Sequence, residues 1–338
     1  MQTSECPNGP NANPLNSVLS ILSVISNKNC YRLSGILNEG FSMSISLRVA
    51  ALISALFFSA CSGANNSTKR EMKPQPPMWV VSDADSEVTL YPTLHILPEG
   101  IDWKSEDLIK RLADADEVWF EIKPGSQSDP NIQLSALQLG MDPNFSLLSK
   151  LNDDEIAKLE TAIAPLGMNA QAVDPMKPWM ASSLVGIGAL LEKGFSPDAG
   201  VEAQLEPMVA GKKIRALETA QGQLELLASM PEEIQLELLR QSLADLDDTV
   251  ELLNELVQDW AVGNVEDLEE ELIDEMKAEF PGVYDAVFTS RNENWADQIE
   301  KEMKGSGTDF IAVGAGHLVG DDSVQAILKA RGYTVKRL

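Results

Sequence analysis

Histidine is the scarcest side chain in this 338-residue chain, which holds only His95 and His317. A site built from three imidazoles is therefore excluded, and so is a zinc helix of the H-E-x-x-H kind, which needs two histidines four residues apart. Cysteine is nearly as rare, with three residues. Cys6 and Cys30 lie close to the start, so Cys61 stands alone from Met43 onward, and neither a disulfide framework nor a cysteine-rich metal centre can form there. Basic residues number 26 against 52 acidic ones, a formal net charge of −26 that repels phosphate backbones and argues against a nucleic-acid partner. No G-x-S-x-G nucleophile elbow and no Walker loop occurs, and Gly186-Ile187-Gly188 falls within an apolar helical stretch rather than at a dinucleotide turn. The apolar run from Val49 to Phe58 is too short to span a membrane comfortably.

Four regions are expected. Residues 1–42 carry Asn, Ser, Pro and Gly without amphipathic period and read as an upstream artefact or a disordered leader. Residues 43–60 read as a lipoprotein signal peptide, with Arg48 as the positive n-region, Val49 to Phe58 as the apolar h-region and small residues at its end. The stretch Leu56-Phe57-Phe58-Ser59-Ala60-Cys61 resembles a bacterial lipobox, although Phe58 stands where an aliphatic residue is usual, and it marks Cys61 as the lipidated first residue of the mature chain. Residues 61–77, rich in Ser, Asn, Lys and Pro, suit a flexible tether, and residues 78–338 form the folded domain. Ser62 after the cysteine favours the outer membrane, so the expected location is the periplasmic side of that membrane in a bacterial cell envelope.

Within the domain, β-rich runs at Met78–Val81 and Val88–Tyr91 flank a polar turn and predict a hairpin. Ser105 begins a capped helix, and Glu117–Ile122 is a short strand, which together suggest a parallel βαβ unit. From about Pro130 to Lys304 the three- and four-residue apolar spacing is helical with long acidic faces. It is interrupted by a short strand near Ile214 and by a break at Asp259–Asn264. The run Glu266–Glu271 lacks the alternating ligands and central glycine of a calcium loop and reads as a solvated helix face. The chain closes with a strand at Phe310–Val313, a helix from Asp322 to Ala330 and a strand at Tyr333–Arg337. The expected class is α/β in an α+β arrangement: a central mixed sheet formed by the N- and C-terminal segments, with a large acidic helical middle region.

Each histidine closes a short turn directly after an apolar run, Val88-Thr89-Leu90-Tyr91-Pro92-Thr93-Leu94-His95 and Phe310-Ile311-Ala312-Val313-Gly314-Ala315-Gly316-His317. Active sites of open α/β sheets gather at the carboxyl ends of strands, and His95, Glu121, Glu218 and His317 all sit at or near such ends. Two imidazoles and one or two carboxylates suit a divalent metal such as Zn, Mn, Co or Fe, which would activate water and polarise a carbonyl. Blander readings stand beside this one. Glu121 fits the outward face of an edge strand, and Glu218 fits the first turn of a helix, where the macrodipole favours a carboxylate.

Taken in order, the short motifs of residues 79–338 resemble the TraB/GumN family, which is related to the Tiki metalloproteases and more distantly to erythromycin esterase and the haem-binding ChaN proteins. The family's G-T-x-H is matched by Pro92-Thr93-Leu94-His95, and the acidic residue closing the next strand by Glu121. Gly200-Val201-Glu202, Gly211-Lys212 and Leu217-Glu218-Thr219 follow, with Gln221 and Gln223 just beyond. Arg291-Asn292 with Trp295, and Gly314-Ala315-Gly316-His317-Leu318-Val319-Gly320, complete the set. The resemblance implies a two-GxxH, metal-dependent hydrolase, with peptidase action on an unknown peptide or small molecule as its chemistry. It implies His95, Glu121, Glu218 and His317 as ligands to Mn, Co or Zn, Glu121 and Glu218 also as catalytic groups, and Arg291 as a catalytic group that stabilises an oxyanion or orients a carboxylate. One departure stands out: proline at position 92 replaces the family glycine, and its fixed φ and missing amide predict a reshaped first His turn or impaired catalysis. The alternative is a noncatalytic envelope protein that binds haem, a peptide or a partner on the same scaffold.

Overall fold

The computed structural model describes residues 74–244 and 246–338. The expected leader, signal peptide and Cys61, together with most of the tether, lie outside the described residues. Strands β1 (Trp79–Ser82) and β2 (Ser86–Thr93) form the predicted hairpin, antiparallel with Trp79 opposite Leu90. A two-residue strand β3 (Leu97–Pro98) follows, and helix α1 (Glu106–Asp114) starts where Ser105 accepts a hydrogen bond from the Leu108 amide. Strand β4 (Glu117–Phe120) ends two residues sooner than the apolar run suggests. Downstream lie helix α2 (Pro178–Glu192), β5 (Phe195–Ser196), β6 (Lys213–Ala216) and helices α3 (Ala220–Ser229), α4 (Glu232–Ala244) and α5 (Leu246–Val262). Helix α6 (Ser290–Glu302), β7 (Gly307–Gly314), α7 (Val324–Ala330) and β8 (Thr334–Arg337) close the chain.

Six strands make one mixed sheet in the order β6-β4-β7-β2-β1-β8, while β3 and β5 pair separately. Strands β6, β4, β7 and β2 run parallel, and β1 runs antiparallel to both β2 and β8. The β2–α1–β4 crossover is thus a βαβ unit with a gap, which β7 fills from the far end of the chain. The sheet is mixed as expected, with one addition: β6 comes from inside the helical middle region.

The sheet separates two cores because neighbouring residues on a strand point to opposite faces. Tyr91, Val118, Phe120, Phe310 and Ala312 join the large core shared with the helical region. Val88, Leu90, Trp119, Ile311 and Val313 face a smaller core made with Trp295 and Ile299 of α6 and Val324 and Leu328 of α7. Helix α2, Pro-Trp-Met-Ala-Ser-Ser-Leu-Val-Gly-Ile-Gly-Ala-Leu-Leu-Glu, is apolar on every side and is buried along almost its whole length in the helical layer. Glu266 to Glu269 lie on a short helix, Val265–Glu269, with Leu268 turned inward, as the solvated-face reading requires. No helix among the described residues is long and apolar enough to cross a membrane.

Candidate functional site at the carboxyl edge of the sheet

Register brings the four predicted groups to one edge. Thr93 pairs with Gly314, Phe120 with Ala312, and Ala216 with Phe120, so the four parallel strands finish together. Beyond the strand ends, the Leu217 amide donates to Phe120 O at 3.0 Å and the Glu218 amide to Glu121 O at 2.8 Å, which sets Glu121 and Glu218 side by side. Glu121 is buried, which removes its edge-strand reading.

His95 follows a turn braced by the segment that begins at Gly200. The Val201 amide donates to Leu94 O at 3.0 Å, and a Cβ on Gly200 would lie 2.1 Å from the His95 carbonyl oxygen, so no larger residue fits there. This contact delivers Glu202 to the ring, with Glu202 Oε1 at 2.7 Å from His95 Nδ1. The opposite nitrogen, His95 Nε2, is buried without a hydrogen-bond partner among the described residues. His95 lines a cleft together with Ile96, Phe195, Leu253, Val257, Phe288 and the Gly314–His317 turn, with open space of about 50 Å³, room for water and a small group.

Arg291 is the hub of the remaining groups. Its Nε donates to Glu218 Oε1 at 2.8 Å, Nη2 to Glu121 Oε2 at 2.9 Å and Nη1 to the Val287 carbonyl at 2.9 Å, while Nη1 also lies 3.0 Å from His317 Nε2. Val287 belongs to a π-helical turn, Asp285–Thr289, an irregularity often found where helices serve a site. His317 Nδ1 is 2.6 Å from Asn292 Oδ1, an oxygen that can only accept, so Nδ1 carries the proton and Nε2 accepts from Arg291. The His317 ring lies between Trp295 and Phe288, with centroids 4.1 and 5.0 Å away. A Cβ on Gly316 would meet Phe288 at 2.6 Å, so this second glycine also serves close packing. Gln223 Nε2 donates to Glu121 Oε2 and Glu218 Oε2 at 2.9 and 3.1 Å, Trp295 Nε1 to Glu218 Oε1 at 2.7 Å, and the Gly314 amide to Glu121 Oε1 at 2.7 Å.

These surroundings give the two histidines opposite charge states. Burial alone would depress His95, but the charge and hydrogen bond of Glu202 outweigh it and hold the imidazolium up to about 9. His317 is driven well below its ordinary value, first by burial and then by the positive charges of Arg291 and His95. Burial also works against the charge on Arg291, and Glu218 and Glu121 overcome it. Glu202 stays ionised against its own burial because His95 is beside it.

A divalent ion does not fit the four expected donors as they are arranged. His95 Nε2 alone is unengaged; the Glu121 and Glu218 oxygens and His317 Nε2 are held by Arg291, Gln223, Trp295 or the Gly314 amide. Among the described residues no group of three or more His, Cys, Asp or Glu side chains is placed to hold a metal. Arg291 orients two carboxylates, one of the two roles expected for it. Four contributors were not singled out as site residues from sequence: Glu202, Gln223, Asn292 and the Trp295 indole. All four fall in the short motifs that carry the family resemblance, which was the available signal.

The class is thus a mixed α/β protein with a buried His/Glu/Arg network at the carboxyl edge of its sheet. The chain matches the family model described as the TraB/PrgY/gumN family over residues 77–337 and belongs to that family. No curated protein and no solved structure matches it.

Proposed function

We propose that the chain is a hydrolase of an ester or amide bond, with His95 as its proton-transfer group and the apolar cleft as the berth for the substrate. The buried, unpartnered Nε2 of His95, a residue that lines the cleft, with Nδ1 held by Glu202, is the observation that carries this reading. Glu202 fixes the tautomer: when the ring is neutral its proton sits on Nδ1 and Nε2 is the base. Nε2 then removes a proton from a water as the water attacks the substrate carbonyl, and the imidazolium so formed returns that proton to the leaving group. Arg291 is a positioning residue here, holding Glu121, Glu218 and His317 behind the reacting groups. The apolar lining, Leu253, Val257 and Phe288 above all, selects an apolar neighbour to the scissile bond.

Peptide and ester libraries offered to the purified protein test the proposal. Turnover is expected to rise about tenfold per pH unit until it flattens near the His95 value of about 9. His95→Ala is expected to lower kcat/KM by about 10²- to 10⁴-fold, and Glu202→Gln to move the inflection down toward the ordinary histidine value. Absence of turnover across both libraries sinks the hydrolase reading. In the binding reading His95 would be the residue that holds a haem iron, so a haem absorption band that disappears in His95→Ala would put that reading in its place.

We also propose that Cys61 carries a lipid that anchors the domain on the periplasmic side of the outer membrane. Mass spectrometry of the native protein is expected to find a lipid-modified Cys61 at the N-terminus, and peptides from before Met43 would contradict it.

A further inference from the structure

Glu121, Glu218 and His317 are the donors a divalent ion would want, and a cation already lies among them. We infer that the guanidinium of Arg291 is the resident cation of this site and stands in the place a divalent metal would take, so that the chain holds its two histidines in position without a metal. All three guanidinium nitrogens are used: Nε on Glu218, Nη2 on Glu121, Nη1 on the Val287 carbonyl and on His317 Nε2, at 2.8 to 3.0 Å. A planar fork of fixed donors meets two carboxylates and a lone pair, a task that the point charge of lysine does not match. The guanidinium carbon Cζ lies over the Trp295 ring, 4.8 Å from its centroid, which adds a cation–π contact to the hydrogen bonds.

The lone pair of His317 is decisive. Because Nδ1–H is committed to Asn292 Oδ1, Nε2 is the only nitrogen that could bind a metal, and it accepts from Arg291. A divalent ion entering between the carboxylates would face a guanidinium that cannot lose its proton, and would also have to break the Gln223 and Trp295 hydrogen bonds. Arg291 balances one of the two negative charges, and removing it would leave both carboxylates without their cation and the imidazole lone pair without its donor, around a cavity of roughly its own size. This inference concerns how the site is held and stands whether or not the chain hydrolyses anything.

Elemental analysis of the purified full chain tests it, after equilibration with Mn²⁺, Co²⁺ or Zn²⁺ and removal of free ion. The wild type is expected to retain well under one equivalent of each, with a melting temperature that neither the ions nor EDTA moves. Arg291→Ala is expected to gain one equivalent of ion and to melt higher in its presence, a gain that Glu121→Gln in the same background abolishes. Arg291→Lys, which keeps a charge, is expected to remain metal-free. A wild type that takes up one equivalent and loses it in the His95→Ala/His317→Ala double variant would overturn the inference, as would a folded Arg291→Ala that binds none of the three ions. The wild-type and Arg291→Lys measurements decide the matter even where Arg291→Ala does not fold.

Discussion

Pro92 has no amide hydrogen to give, yet it lies inside β2 with the His95 turn just beyond it. Its carbonyl accepts a hydrogen bond from Trp260 Nε1 at 2.9 Å. In an extended strand the N–H and C=O of one residue point to the same side, so the missing donor would have faced Trp260, past the point where β1 pairing stops at Trp79 and Leu90. No ladder bond is lost, and β2 stays in register with β7 through Thr93 opposite Gly314. Asp309, nearby on β7, is buried beside other acidic residues. Burial, then the nearby charges of Glu117 and Glu302, push its carboxyl up to about 6, only partly offset by Arg215. An unfolded Asp releases its proton near 4, so between these values the native state holds a proton that the unfolded chain has lost. The stability this gives is present below about pH 4 and is lost as pH rises through about 6. Asp309→Asn is therefore expected to raise the melting temperature at pH 7.5 by about 2–4 °C, on the order of 1 kcal/mol, and to leave it unchanged at pH 4. A shift of equal size at both pH values, or a loss at pH 7.5, would contradict this.

At the scale of elements, whatever depends on local chemistry was legible. The β1–β2 hairpin, the Ser105 cap of α1, the helical middle region, β6 and the closing strand, helix and strand all appear where alternation, capping or three- and four-residue spacing marks them. Strand ends also forecast the edge where His95, Glu121, Glu218 and His317 meet. What the sequence did not reveal is set by packing between distant segments. Glu202 reaches His95 from a five-residue helix, Val201–Leu205, whose position depends on the close approach of Gly200 to the His95 turn. The β3–β5 pair is two residues long on each side, too short for a periodic signal. Arg291 sits on α6, and the family resemblance implied that it stabilises an oxyanion or orients a carboxylate, but only the packing of α6 against the sheet shows that its donors are spent on Glu121, Glu218, Val287 and His317. The π-helical turns at Glu270–Asp274 and Asp285–Thr289 carry no sequence mark that distinguishes them from α-helix.

On the scale of the whole molecule, the site is a product of chain closure. Strand β7 enters between β2 and β4, so His317 from the end of the domain comes to the same edge as His95 from its beginning. The two rings then differ because one faces Glu202 and the other faces Arg291, with Asn292 fixing its tautomer. That difference is the central claim, and a chain with only two histidines makes it directly measurable. Nuclear magnetic resonance of imidazole-labelled protein between pH 5 and 10, with His95→Ala to assign the signals, is the most direct measurement. One ring, His95, is expected to titrate at about 9, and the other, His317, to stay neutral throughout with its proton on Nδ1. Two rings that both titrate near 6.5, or a His317 ring that becomes charged in this range, would contradict the account.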